Sequence, residues 1–124
     1  MKVETRSLRG DSPGQMRSLT AYHYEGVGDG PRVYIQAGLH ADEMPGVLIL
    51  QHLMPLLDVA EASGQVRGQI IVVPVANPIG LGQWQFGRPQ GRFDADTMRN
   101  FNRSYPELDK LIGDALEGRL TQSA

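Results

Sequence analysis

Cysteine is absent from all 124 residues. That excludes disulfides and any thiolate metal site. Lysine is nearly absent too: the twelve basic residues include only Lys2 and Lys110, and the rest are arginines. No apolar run approaches the roughly 18 residues that would cross a bilayer. The opening MKVETRSLRG has no apolar stretch behind its charges, so it does not read as a secretory leader. A cytoplasmic location is the default expectation. An excess of charge of one sign is missing as well. The formal net charge is −2, which gives no reason to expect a nucleic-acid or membrane partner. Internal repeats and low-complexity tracts are also lacking.

What is present fits a globular chain. Hydrophobic residues make up 40% and charged residues 21%, and the length suits one small domain with a modest core. The first thirty residues are polar and turn-rich. Asp11-Ser12-Pro13-Gly14 and Gly26 to Gly30 are turn signals, and Ser18 to Tyr24 alternates as a strand does. An antiparallel hairpin over residues 1–30 is expected. A β-α-β core over 31–77 comes next. Arg32 to Gly38 is rich in β-branched and aromatic residues and reads as a strand. Pro45 sits where a helix can begin, Val47 to Leu57 is largely apolar and unbroken by glycine, and Pro55 is expected to kink or end that helix. Asp58 to Gly68 reads as a polar connection. Gln69 to Ala76 is apolar without alternation, as a strand buried on both faces would be. Strand, helix, strand in this order predicts an α/β fold with a mostly parallel sheet flanked by helices. Residues 78–106 form a long segment of little periodicity, expected to be a functional loop. A helix is expected over 107–120, with Leu108, Leu111, Ile112, Ala115 and Leu116 on one face.

Two clusters can carry chemistry. Gly38-Leu39-His40-Ala41-Asp42-Glu43 lies where a parallel strand ends and a helix begins, the place where open α/β sheets build their sites. An imidazole and a carboxylate three residues apart in a tight turn can meet one metal ion at about 2 Å each. H-x-x-E also occurs by chance, as a surface histidine and a glutamate favoured by the helix dipole. The second cluster is Gly91 to Pro106, GRFDADTMRNFNRSYP. Its arginines Arg92, Arg99 and Arg103, together with Arg88, fall within one short stretch. An Asn-Arg pair there can grip a carboxylate in two-pronged fashion. The alternative is a loop whose arginines pair with Asp94 and Asp96.

Taken in order, strand, G-L-H-A-D-E, helix, buried strand, N-P-x-G, G-R-F-D and N-F-N-R-x-Y-P resemble the succinylglutamate desuccinylase/aspartoacylase family, a zinc carboxypeptidase-like group. The resemblance covers about residues 31–108, with Tyr105 where phenylalanine is common. It implies Zn2+ as cofactor, with His40 and Glu43 as two of its ligands. It implies that Asn102 and Arg103 hold a substrate carboxylate and that Arg92 polarises the scissile carbonyl. Asp42 is expected either to orient His40 or to cap the helix. The family needs a later histidine ligand and a later glutamate base. His23, His52, Glu107 and Glu117 match neither. The chain therefore reads as the N-terminal portion of a single catalytic domain, incomplete at its C-terminus. The implied activity is zinc-dependent hydrolysis of the amide of a small carboxylate-bearing N-acyl amino acid. A metallocarboxypeptidase acting on peptides and a non-catalytic carboxylate-binding module are the alternatives, and a homo-oligomer is compatible with all three.

Overall fold

The computed structural model describes residues 1–10 and 13–116. Four strands make one sheet: β1 (Lys2–Leu8), β2 (Arg17–Glu25), β3 (Arg32–Gln36) and β4 (Gln69–Val73), in the spatial order β1-β2-β4-β3. β1 and β2 form the expected antiparallel hairpin, with Thr5 opposite Thr20. β2 continues antiparallel to β4, and only β3 and β4 run parallel, with Ile35 opposite Val72. The expectation of a mostly parallel sheet is thus met at one pairing only. The sheet is mixed, because the N-terminal hairpin inserts β2 against the free edge of β4.

Between β3 and β4 runs α1 (Met44–Ala62), with Pro45 in its first turn. It passes through Pro55 and takes in residues 58–62, so Pro55 does not end the helix and the polar connection expected from Asp58 starts later, after Ala62. The helix survives for a simple reason. Gln51 and Pro55 lie on its exposed side, where water can satisfy the carbonyl that loses its amide partner. Leu50, Leu53, Met54 and Leu57 lie on the other side and pack on the sheet. There Tyr24, Leu50 and Val72 form the buried centre, with Tyr22, Ile35, Ala37 and Ile70 around it.

The outer side of α1 is apolar as well. Leu48, Ile49, Leu56 and Val59 are exposed, whereas an ordinary surface helix presents a polar outer face. After β4 come α2 (Pro78–Leu81), a two-residue hairpin of β5 (Trp84–Gln85) and β6 (Arg88–Pro89), and α3 (Leu108–Leu116). On α3, Leu108 and Ile112 are exposed. The expected extension of this helix to residue 120 falls outside the described residues. Among the described residues, no helix is long and apolar enough to cross a membrane.

Candidate metal and substrate site

The C-terminal ends of β3 and β4 stay joined beyond the strands themselves. Ala37 donates to the Val73 carbonyl at 3.1 Å, Ala76 to Ala37 at 2.8 Å and Asn77 to Gly38 at 3.1 Å. Gly38 turns the chain out of the sheet with φ 66°, a conformation that costs a residue with a Cβ. Asn77 then pins the chain beyond Gly38. It is 6% exposed; its Nδ2 donates to the Leu39 carbonyl at 3.0 Å and its Oδ1 accepts from Gly80 N–H at 2.8 Å. One buried amide therefore caps α2 and holds the backbone beside His40.

Residues 40–43 form a tight turn, with Glu43 N–H bonded to the His40 carbonyl at 3.0 Å. His40 is buried at 4% exposure, while the Glu43 side chain is 57% exposed. Glu43 is the N-cap residue of α1 but makes no side-chain capping bond. Its carboxylate is engaged elsewhere: Oε1 lies 3.2 Å from His40 Nδ1 and 2.5 Å from the Arg92 guanidinium. The hydrogen bond from Arg92 is the largest of the causes that hold the Glu43 carboxyl below the usual carboxylate range.

Arg92 reaches this point because two loops pack backbone to backbone. Ala41 N–H donates to the Gly91 carbonyl at 2.9 Å. A Cβ on Gly91 would lie 2.3 Å from the Asp42 nitrogen, so only glycine permits the approach. The loop is braced further by Gln83. Its amide donates to the carbonyls of Gln90 at 2.7 Å and Phe93 at 2.8 Å, and its Oε1 accepts from Ala95 N–H. Asp94 is taken by Thr97, through both the amide and the hydroxyl. The alternative of Asp94 pairing with the arginines is not what forms.

The protonation pattern at His40 is set by its partners. Arg92 can only donate, and it approaches Nδ1 at 2.9 Å; Nδ1 therefore offers a lone pair. Nε2 carries the proton and gives it to Asn100 Oδ1 at 2.7 Å. Asn100 must present its oxygen here, since the same atom also accepts from Asn102 N–H at 2.9 Å. Asn100, not Asp42, is the hydrogen-bond partner of the His40 ring at Nε2. Asp42 instead lies 3.8 Å from Arg92 Nε.

These donors suit zinc. Nδ1 and Oε1 both present lone pairs to one point, and the guanidinium cation already sits against them. Two ligands of a tetrahedral zinc ion are separated by roughly 3.3 Å, close to the observed 3.2 Å. Among the described residues, no group of three histidine, aspartate or glutamate side chains could hold a metal ion. His23 lies in β2, 3.4 Å from Glu4, and His52 is exposed on α1; neither joins the pair.

The site opens into a cleft of about 670 Å³ lined by Gln36, Gly38, His40, Glu43, Pro45 and Asn102, among others. Asn102 is half-buried there, and its Oδ1 accepts from the Tyr105 hydroxyl. Arg103 is exposed and not part of the lining, with its guanidinium bonded to the Asn102 carbonyl at 2.6 Å. The structure thus joins His40, Glu43 and Arg92 by direct contact and puts Asn102 on the cleft wall, whereas neither Arg92 nor Arg103 lines the cleft. Sequence reasoning did not single out Asn77, Gln83, Gly91 or Asn100. Asn77 and Gly91 stand inside recognisable motifs; Asn100 and Gln83 gave no signal, because their partners are 60 and about ten residues away.

Residues 29–122 match the family model of the succinylglutamate desuccinylase/aspartoacylase catalytic domain. A solved structure of a succinylglutamate desuccinylase/aspartoacylase family protein from Shewanella amazonensis is 31% identical. It superposes with a TM-score of 0.73 over 95% of this chain and 32% of its own. A protein of Shewanella frigidimarina carrying the same family name is 27% identical, with a TM-score of 0.71 over 98% of this chain and 38% of that one. An aspartoacylase family protein of Mesorhizobium loti is 26% identical, with a TM-score of 0.52 over 96% and 37%. No curated protein matches the chain. The chain spans about a third of the length of the solved structures it matches.

Proposed function

The chain belongs to the succinylglutamate desuccinylase/aspartoacylase family, and from that membership we propose that it carries the N-terminal half of a zinc-dependent amide hydrolase site. The observation that carries this reading is the convergence of His40 Nδ1, Glu43 Oε1 and the Arg92 guanidinium at one point. His40 and Glu43 would hold the metal; a full ligand set needs a further donor from outside the described residues. Zinc, when bound, supplies Lewis acidity towards water and the scissile carbonyl.

The chain's own residues divide the remaining work. The reaction adds water across the amide, breaking the C–N bond and leaving a carboxylic acid and an amine. Arg92 is the cation nearest the ligand pair, and its charge is positioned to stabilise the oxyanion that develops on the carbonyl oxygen. The Asn102 amide, on the cleft wall, can hydrogen-bond a substrate carboxylate. Arg103 adds a second grip once its side chain leaves the Asn102 carbonyl and turns towards the cleft. A small N-acyl amino acid bearing a carboxylate suits an open cleft with the Gln36 and Asn102 amides on its wall and the Arg92 guanidinium against His40 and Glu43.

The test is direct. Zinc bound at equilibrium is measured in the wild-type protein and in His40→Ala, and hydrolysis of N-acyl amino acids is compared with that of short peptides. Stoichiometric zinc that disappears in the variant is expected, with turnover of the N-acyl amino acids. Zinc retained by His40→Ala would refute the ligand assignment. Turnover of peptides alone would identify a carboxypeptidase. A carboxylate-binding module, favoured by the lack, among the described residues, of any group of three histidine, aspartate or glutamate side chains able to hold a metal ion, would bind small carboxylates without turnover.

A further inference from the structure

Besides the Gly91 and Arg92 contacts, the loop that carries Asn102 and the turn that carries His40 share one side-chain atom. Asn100 Oδ1 accepts the His40 Nε2 proton at 2.7 Å and Asn102 N–H at 2.9 Å. Both lone pairs of that oxygen are therefore in use, one on each half of the cleft. Asn100 is itself held in place by its backbone, in an antiparallel bridge with Phe93. That bridge belongs to the same stretch as Arg92, whose carbonyl accepts from Phe101 N–H at 3.1 Å. His40 is 4% exposed, so its ring N–H has little access to water as a replacement partner.

We infer that Asn100 is a positioning residue that locks the His40 ring with Nδ1 facing the metal and, through the same oxygen, sets the substrate-binding Asn102 at a fixed distance from it. The inference rests on the reading of His40 as a zinc ligand. Its physical basis is general. A ligating imidazole whose other nitrogen donates to a fixed acceptor keeps one tautomer and one ring orientation, and loss of such a partner typically weakens metal binding about 10- to 100-fold. Here the acceptor is a neutral amide. It directs the ring without adding negative charge beside the ligand pair, and its second lone pair is left free for the Asn102 amide.

The experiment compares wild type, Asn100→Ala and Asn100→Asp in the full chain. Three quantities are read: the zinc dissociation constant, the NMR signal of the His40 Nε2 proton without metal, and hydrogen exchange at the Asn102 amide. Circular dichroism checks the fold. Asn100→Ala is expected to weaken zinc binding about 10- to 100-fold, to abolish the slowly exchanging Nε2 proton signal and to speed exchange at Asn102. Asn100→Asp keeps an acceptor in place and is expected to restore all three. A purely structural role for Asn100 would not be rescued selectively in this way. An Nε2 proton signal and zinc affinity unchanged in Asn100→Ala would overturn the inference while leaving His40 as a ligand. Zinc binding indifferent to His40→Ala would overturn the underlying reading, and the inference with it. Should Asn100→Ala not fold, Asn100→Asp decides: loss of the Nε2 proton signal in that variant overturns the inference.

Discussion

At the scale of single residues, Arg92 and Gly91 show how much rests on adjacent positions. Arg92 contacts both His40 and Glu43. Replacing it with methionine keeps the bulk and removes the charge. With an assay in hand, kcat is expected to fall about 10²- to 10³-fold, the usual loss when one oxyanion-stabilising donor goes; an unchanged kcat would remove Arg92 from that role. Gly91 brings Arg92 there. In Gly91→Ala the new methyl would sit 2.3 Å from the Asp42 nitrogen, so the two loops must part. Metal affinity is expected to fall sharply while the far-UV circular dichroism spectrum stays that of wild type. The H-x-x-E pair and the Asn-Arg pair were legible in the sequence because local spacing and motif order mark them. Asn100 was not, since its partner lies 60 positions away and an asparagine in a loop carries no sign of what it will meet. Asp42, expected either to orient His40 or to cap the helix, lies near Arg92 instead, and Asn100 meets the ring: proximity in sequence is a poor guide to which acceptor faces a ring nitrogen.

At the scale of elements, α1 is the most instructive. Its apolar character was evident in the sequence, and so was its start near Pro45. Its length was not, because proline penalties are local while the compensation here comes from Leu53, Met54 and Leu57 against the sheet. The two faces of α1 should answer differently to mutation. Leu50 is 4% exposed and Leu56 is 67% exposed. Leu50→Ala is expected to cost about 2–5 kcal/mol, and Leu56→Ala no more than about 0.5 kcal/mol. Urea denaturation of both variants checks the contrast, and equal losses would contradict the packing described. The parallel pairing of β3 with β4 was likewise legible from the strand-helix-strand order. The insertion of β2 beside β4 was not, since a hairpin's outer pairing is fixed by which sheet edge stands open rather than by its own sequence.

For the molecule as a whole, stability at high pH turns on Tyr24. This ring is fully buried between the sheet and α1, and its hydroxyl donates to the Met54 carbonyl at 3.4 Å. Burial first, and the charges of Asp58 and Glu61 next, push its pKa up to about 12. The unfolded value is about 10. A group whose folded pKa is raised gives stability that is complete below the unfolded value and is lost as pH rises through the folded one. Stability is therefore expected to decline between about pH 10 and pH 12. Tyr24→Phe should flatten that decline, at a cost near neutral pH of about 1 kcal/mol for the lost hydrogen bond. Thermal melts across this range, run in parallel on both proteins, provide the check.

The contact between Ala41 and Gly91 and the bond between His40 and Asn100 each close a loop of 50 to 60 residues. Such closures carry a larger entropy cost than local ones and come late in folding. The cleft thus exists only in chains that have already joined β3 to β4 and laid the 91–102 segment across the turn. Any ligand that needs both segments binds the native state and ignores the unfolded one. At a hundredfold excess over its dissociation constant it adds about 2.7 kcal/mol to the free energy of unfolding. A rise in melting temperature is then a functional assay in itself, and small carboxylates and metal ions can be ranked against this protein before any turnover has been observed.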